Sequence, residues 1–334
     1  TQVGSQTSSQ PYSLMTKDFH REDIISEQLV GAGFNEILNN SLTAQSYYEE
    51  ANLNAYPWEQ CVKILNPLSS DLGVMRQTLL FGGLESIRRN INRKAANLKF
   101  FEVGNTYKYE KEKWSEENPI KAYQQEYHLA LWITGKRVQG SWAHADEESS
   151  FYELKANVEN ILRRIGIAQN ALTTEASDNN IFDKALTLKT RGGKTIVEMG
   201  ILSHKLLKKM DIAQTVFYAD IHWTNLMKAI RKNKLQFQEL SKYPSVSRDL
   251  ALLLDSNIEF AQIEEIARQT EKKLLKKVEL FDVYEGKNLP EGKKSYAVNF
   301  ILQDETKTLN DKAIDAIMQK LIKNITTKLG AELR

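Results

Sequence analysis

The stretch from Ser241 to Arg334 restricts the fold most, because its hydrophobic period switches in a set order. Apolar residues alternate from Asp249 to Asp255, as in a half-buried strand. A charged amphipathic segment, Glu259 to Lys277, follows at helical spacing. Val278 to Gly286 alternates again, Gly292 marks a turn, and Ser295 to Gln303 makes a third strand. Asn310 to Lys328 is long and amphipathic, and Gly330 stops it before a short tail with room for a last strand. In a domain of this size, the order β-α-β-β-α packs most economically as a split βαβ, ferredoxin-like sandwich. Its two helices cover one face of the sheet and leave the other open to a flat ligand.

Composition narrows the rest. A chain of 334 residues has room for two domains, and 41% apolar content is enough to build their cores. The charged fraction, 26%, is ordinary. No apolar run is long enough to cross a bilayer, so no membrane partner is expected. Cys61 is the only cysteine, which excludes an intrachain disulfide and a thiolate metal cluster. A lone thiol suits a reducing, cytoplasmic setting. The net charge of +2 does not by itself indicate nucleic acid, and no DNA partner is expected. From residue 241 onward, 16 Lys/Arg face 15 Asp/Glu, so any basic surface must come from local clusters. Two such clusters are Lys272, Lys273, Lys276 and Lys277, and Lys287, Lys293 and Lys294. The first reads either as a solvated helix end or as a phosphate contact.

The Ser, Gln and Thr content of residues 1–16 predicts a flexible lead-in. Asp18 is placed to cap a helix through about Ala32, ended by Gly31 and Gly33, and Glu36 to Leu42 alternates like a strand. Asn66-Pro67-Leu68-Ser69 is a turn, followed by a helix to about Lys94 whose end carries Arg88, Arg89, Arg93 and Lys94. That basic end suits the negative helix terminus, or else contacts RNA or a partner. Leu98 to Gly104 and Tyr127 to Gly135 read as strands, with a charged loop, Lys111 to Tyr123, between them. Glu153 to Ile165 reads as a helix, Ile181 to Lys189, Thr195 to Leu202 and Phe217 to His222 as strands, and Trp223 to Ile230 as a short helix. These readings divide the chain into an α+β domain, 17–230, a linker, 231–240, and the small domain, 241–334.

Most catalytic chemistries find no support. Gly192-Gly193-Lys194-Thr195 ends like a phosphate loop, but the spacing puts Leu188 where a glycine must stand, so a hairpin turn is expected. The histidines at 20, 128, 144, 204 and 222 have no i, i+4 partner and no cysteine companion, so no zinc site is predicted. No Gly-x-Ser-x-Gly string is present, and no Ser/His/Asp set can be nominated. No catalytic, cofactor-binding or metal-ligating residue is therefore predicted.

Four blocks carry a resemblance. They are Lys242 to Ala251 (KYPSVSRDLA), Leu280 to Gly286 (LFDVYEG), Glu291 to Tyr296 (EGKKSY) and Leu302 to Leu309 (LQDETKTL). In this order, within one small domain, they resemble the C-terminal anticodon-binding domain of the phenylalanyl-tRNA synthetase beta subunit family. The run from Asn66 to Gly104 resembles that family's catalytic-like domain, an antiparallel-sheet copy of the class II synthetase fold without its activity. Trp142-Ala143-His144 and Phe151 to Lys155 resemble its aromatic and acidic block. Phe182-Asp183-Lys184-Ala185 departs from the family's His-Pro-Gly block.

The loss of activity can also be argued from residues. A class II site needs an aromatic-Arg-x-Glu block whose Arg grips the α-phosphate of ATP with two parallel bonds. Here the nearest string is Tyr107-Lys108-Tyr109-Glu110, and a lysine lacks the planar fork. No later Gly-rich block ending in Arg follows.

The resemblance implies the C-terminal part of a larger subunit, consistent with an opening at Thr1, where no signal-peptide pattern follows. It implies an alpha-subunit partner in an α₂β₂ assembly and tRNA-Phe as ligand. ATP and Mg²⁺ would serve the whole enzyme, with no cofactor in this part, and the first helix and strand would form the subunit contact. On a strand, Asp282 and Tyr284 share a face. The family's matching Asp and Tyr contact the first anticodon base, a guanine, so these two residues are predicted to bind RNA. Arg248 is the third candidate, binding phosphate or pairing with Asp249.

Overall fold

The structure is a computed structural model describing residues 14–49, 53–167, 171–231, 241–286 and 289–334, with side chains described from residue 20. The chain separates into two compact units, Thr1–Leu235 and Gln236–Arg334.

The first unit is built on a seven-stranded sheet. Its strands are β1 (Asn35–Glu36), β2 (Leu98–Tyr109), β3 (Tyr123–Thr134), β4 (Leu172–Ala176), β5 (Phe182–Thr190), β6 (Thr195–Leu202) and β7 (Val216–Ile221). They lie in the order β1-β2-β3-β7-β6-β5-β4, antiparallel except for the β1–β2 pair. Alternation along β3 supplies both faces. Leu129, Leu131 and Ile133 enter one core with Ile25 and Leu29 of helix α1 (Leu14–Gly31), and with Leu154 and Val158 of α3 (Phe151–Arg164). Trp223 and Leu226 of α4 (Trp223–Ile230) join the same core.

Ala130 and Trp132 enter the opposite core with Leu80, Leu84 and Ile87 of helix α2 (Leu80–Asn92). The i, i+4, i+7 spacing of those three residues is the stripe an amphipathic helix buries. Gly83 lets α2 approach, since a Cβ there would stand 2.2 Å from Trp132 Cε2.

Several expectations are corrected here. Helix α1 begins at Leu14, so Asp18 lies inside it and not at its cap. The strand expected over Glu36 to Leu42 is instead β1 and a separate two-residue piece, Leu42–Thr43. Between them Asn39 turns inward and donates from Nδ2 to Glu102 Oε2 at 2.6 Å, a partly buried bond that alternation could not reveal. The Gly192-Gly193 stretch does close a hairpin between β5 and β6, with Gly193 at φ +79°. Residues 1–13 and 232–240, which hold most of the lead-in and the linker, lie outside the described residues.

The second unit has strands β8 (Val246–Asp255), β9 (Leu275–Tyr284), β10 (Lys293–Leu302) and β11 (Glu332–Leu333). Their order is β9-β10-β8-β11, all pairs antiparallel. Helices α5 (Phe260–Thr270) and α6 (Asp311–Leu329) follow β8 and β10, which is the split βαβ plan. The caps are local. Glu259 and Gln262 form a capping box on α5, Asn310 Oδ1 accepts from Ala313 N at 2.9 Å on α6, and Gly330 ends α6 at φ +63°.

Leu252, Leu254, Val298, Phe300, Ile263 and Leu321 form the core on the helix side. Helix α5 is shorter than the charged segment suggested. It stops at Thr270, whose hydroxyl bonds back to Ile266 O at 2.7 Å and takes a bond from Asn324 of α6. Lys276 and Lys277 therefore stand on β9, not on a helix end, where they pair with Glu305 and Glu279.

Candidate nucleic-acid interface

Strand β9 lies at the sheet edge and opposes β10 residue for residue, with two interruptions. Val278 faces Phe300 and Leu280 faces Val298, so both point to the helix side. Strict alternation would send Asp282 and Tyr284 the same way. A bulge between Leu280 and Asp282 intervenes: two steps on β9 match one on β10. Asp282 then opposes Ala297 and Tyr284 opposes Ser295, on the face away from the helices. The shared face predicted for Asp282 and Tyr284 is present, and the extra residue, Phe281, makes it the open one.

Four residues not predicted for the site surround this pair. Ser295 and Ala297 supply a low floor beside it. Arg334, held by its backbone N–H to Ala251 O at 3.1 Å, lays its guanidinium 5.8 Å from the centre of the Tyr284 ring. Gly286 lies against the ring itself, since a Cβ there would fall 2.6 Å from Tyr284 Cζ. The glycine after Tyr-Glu was a visible signal for this close approach. Arg334 had none, because only the pairing of β11 with β8 brings the chain end to that face. Nearby, Asn299 donates to both Ser247 and Asp249, so Asp249 is already engaged.

Arg248 does not join the pair. It opposes Phe300, a helix-side position, and its guanidinium lies 3.7 Å from Asp311 at the start of α6. The alternative of an Arg248–Asp249 pair is corrected for the same reason: neighbours on a strand point to opposite faces.

The open face presents a carboxylate, a partly exposed phenol ring with a guanidinium 5.8 Å over it, and small residues between strands. Such a surface can accept N–H donors from a base edge while an aromatic ring takes its flat face.

The profile described as "Phenylalanyl tRNA synthetase beta chain CLM domain" matches residues 6–223. The chain belongs to the phenylalanyl-tRNA synthetase beta chain family. Residues 241–334 match "Ferredoxin-fold anticodon binding domain", which is the unit carrying the open face. Among curated relatives, the phenylalanine–tRNA ligase beta subunit of Bacteroides fragilis is 58% identical over 94% of this chain and 38% of its own length. That of Porphyromonas gingivalis is 52% identical over the same shares, 94% and 38%. This beta-chain family member thus spans about 38% of the length of the curated relatives it matches. Among solved structures, a pyrrolysyl tRNA synthetase of Desulfitobacterium hafniense is 15% identical, with a TM-score of 0.46, covering 64% of this chain and 68% of that one.

In this family member the Tyr107-Lys108-Tyr109 string ends strand β2. Lys108 on β2 holds its ammonium 5.9 Å over the Tyr56 ring, a point charge without the planar fork of an arginine. A different group of residues does converge there. Glu126 and His128 on β3, and His222 just after β7, bring ligand atoms within 4.8 Å of one another. Spacing along the chain could not show this, because sheet pairing brings His128 and His222 together. Burial opposes charge on His128, but Asp220 and Glu126 outweigh it and hold the imidazole up at about 9. The same imidazole holds the Glu126 carboxyl down at about 2.

Proposed function

We propose that this chain is the non-catalytic C-terminal part of a phenylalanine–tRNA ligase beta subunit. It supports ATP-dependent charging of tRNA-Phe in the cytoplasm by binding the anticodon and the alpha subunit, in an α₂β₂ assembly. In this reading ATP and Mg²⁺ belong to the alpha subunit's chemistry, and this chain by itself neither charges tRNA nor binds either cofactor. The observation that carries the proposal is the bulge that presents Asp282 and Tyr284 together on the open face. Asp282 accepts the N–H donors of a guanine edge, Tyr284 stacks on the base, and Arg334 backs the ring from its other side or meets a phosphate. Arg248, on the helix side, is left as a phosphate contact outside that patch.

The test is binding of the chain to tRNA-Phe and to a first-anticodon-base mutant at stated salt, with and without Tyr284→Ala. Stacking on one base is worth about 1–3 kcal/mol. A loss of that size from each change, not additive when combined, supports direct reading of the base. If neither change alters affinity, the Asp282/Tyr284 assignment fails and holding the alpha subunit becomes the better account. Co-purification with a matching alpha subunit tests that second role.

A further inference from the structure

The first unit contains a set of side chains that neither its core nor the proposed RNA role uses. Glu126 and His128 are two apart on β3 and share the face that carries Ala130 and Trp132. Asp220 on β7 opposes Ala130 and lies diagonal to His128, and His222 leaves the sheet at the next turn. The imidazoles of His128 and His222 are 4.4 Å apart, ring centre to ring centre.

The two nitrogens of His128 have different surroundings. Nδ1 is 2.7 Å from Asp220 Oδ1, a buried hydrogen bond that fixes the ring and turns Nε2 toward Glu126, where a metal ion would take the place of its proton. Nε2 is buried and makes no hydrogen bond; Glu126 Oε2 stands 3.6 Å from it, beyond bonding distance. A carboxylate on one nitrogen and an unsatisfied second nitrogen is the arrangement that orients histidine toward a metal. The 3.6 Å gap is also informative. Ligands at about 2.0–2.1 Å around a tetrahedral zinc sit roughly 3.4 Å from each other. Two imidazoles and one carboxylate favour a borderline transition metal over Mg²⁺ or Ca²⁺, which prefer all-oxygen shells. Lys108 is the nearby cation that opposes a bound ion, and the carboxylates of Asp220 and Glu126 offset it.

We propose that Glu126, His128 and His222 bind one divalent transition-metal ion of the zinc class, with Asp220 as the positioning residue behind His128. Three protein ligands leave a fourth position to water. The set lies within the first unit, so the site is independent of the RNA-binding reading.

The experiment uses the tag-free chain, stripped with a chelator and titrated with Zn²⁺ by calorimetry and with Co²⁺ by visible absorption. One equivalent should bind, with the intense absorption of a tetrahedral Co²⁺ site. His222→Ala and Glu126→Gln lie at the rim and should abolish stoichiometric binding while far-ultraviolet circular dichroism stays unchanged. Asp220→Asn should weaken binding about 10–100-fold, as loss of a histidine-orienting partner does. Absence of binding to the unmodified chain overturns the proposal. So does binding that His222→Ala and Glu126→Gln leave intact.

Discussion

Glu102 is 1% exposed, and its two oxygens are met by Arg76 Nη1 and Asn39 Nδ2 at 2.6 Å each. Asn39 in turn accepts from Ser86 of α2, so this network ties α2 and the segment after β1 to strand β2. Removing one partner leaves an uncompensated charge inside the protein. Arg76→Ala should therefore lose about 3–5 kcal/mol in urea denaturation, and adding Glu102→Gln should recover part of it. A loss below about 1 kcal/mol, the size of an exposed pair, would contradict the buried-pair account.

Cys61 tests burial in another way. Its side chain is enclosed, it accepts from Gln77 Nε2 at 2.9 Å, and burial pushes the thiol from 9.0 up to about 11. A raised pKa means the stabilisation is fully present below 9.0 and is lost as pH rises through about 11. The native thiol should resist iodoacetamide below pH 9.0 and react on unfolding. Cys61→Ala should lose less stability than the parent chain across that alkaline window, which paired melts at each pH would show.

At the scale of the element, strand β9 decides whether there is a site. Val278 and Leu280 have to face the helices, and Asp282 and Tyr284 have to face away, so an even spacing cannot satisfy both. The bulge at Phe281 resolves the conflict. Deleting Phe281 removes the unpaired residue and puts Asp282 directly after Leu280, so alternation alone then keeps Asp282 and Tyr284 on the open face. The deletion variant should therefore keep the Tyr284-dependent part of tRNA affinity, measured against Tyr284→Ala on the same preparation. Loss of that affinity in a folded variant would mean that Phe281 itself, and not the register it sets, presents the pair. The same strand shows how a periodicity is misread. Lys272 to Lys277 continue the charge pattern of α5, but Leu275 pairs with Leu302, and β-ladder bonding ends the helix at Thr270. Trp223–Ile230 and Thr195–Leu202, by contrast, were legible to the residue, because each is bounded by its own local signals.

For the molecule as a whole, each core draws its residues from one unit. The two cores around the seven-stranded sheet lie within Thr1–Leu235, and the core under the four-stranded sheet lies within Gln236–Arg334. A polypeptide of residues 241–334 should therefore melt cooperatively by itself and keep the Tyr284-dependent part of tRNA affinity. A non-cooperative melt would show that its core needs the rest of the chain. The amino-acid sequence alone determined the order of strands and helices in the second unit, the helix caps and the pairing of Asp282 with Tyr284 on one face, since all of these depend on neighbours along the chain. Tertiary structure decided which face that was, through one unpaired residue. It also brought Arg334 to the Tyr284 ring and His128 to His222. Those contacts join residues far apart in sequence through strand pairing, and hydrophobic period carries no information about which strands pair.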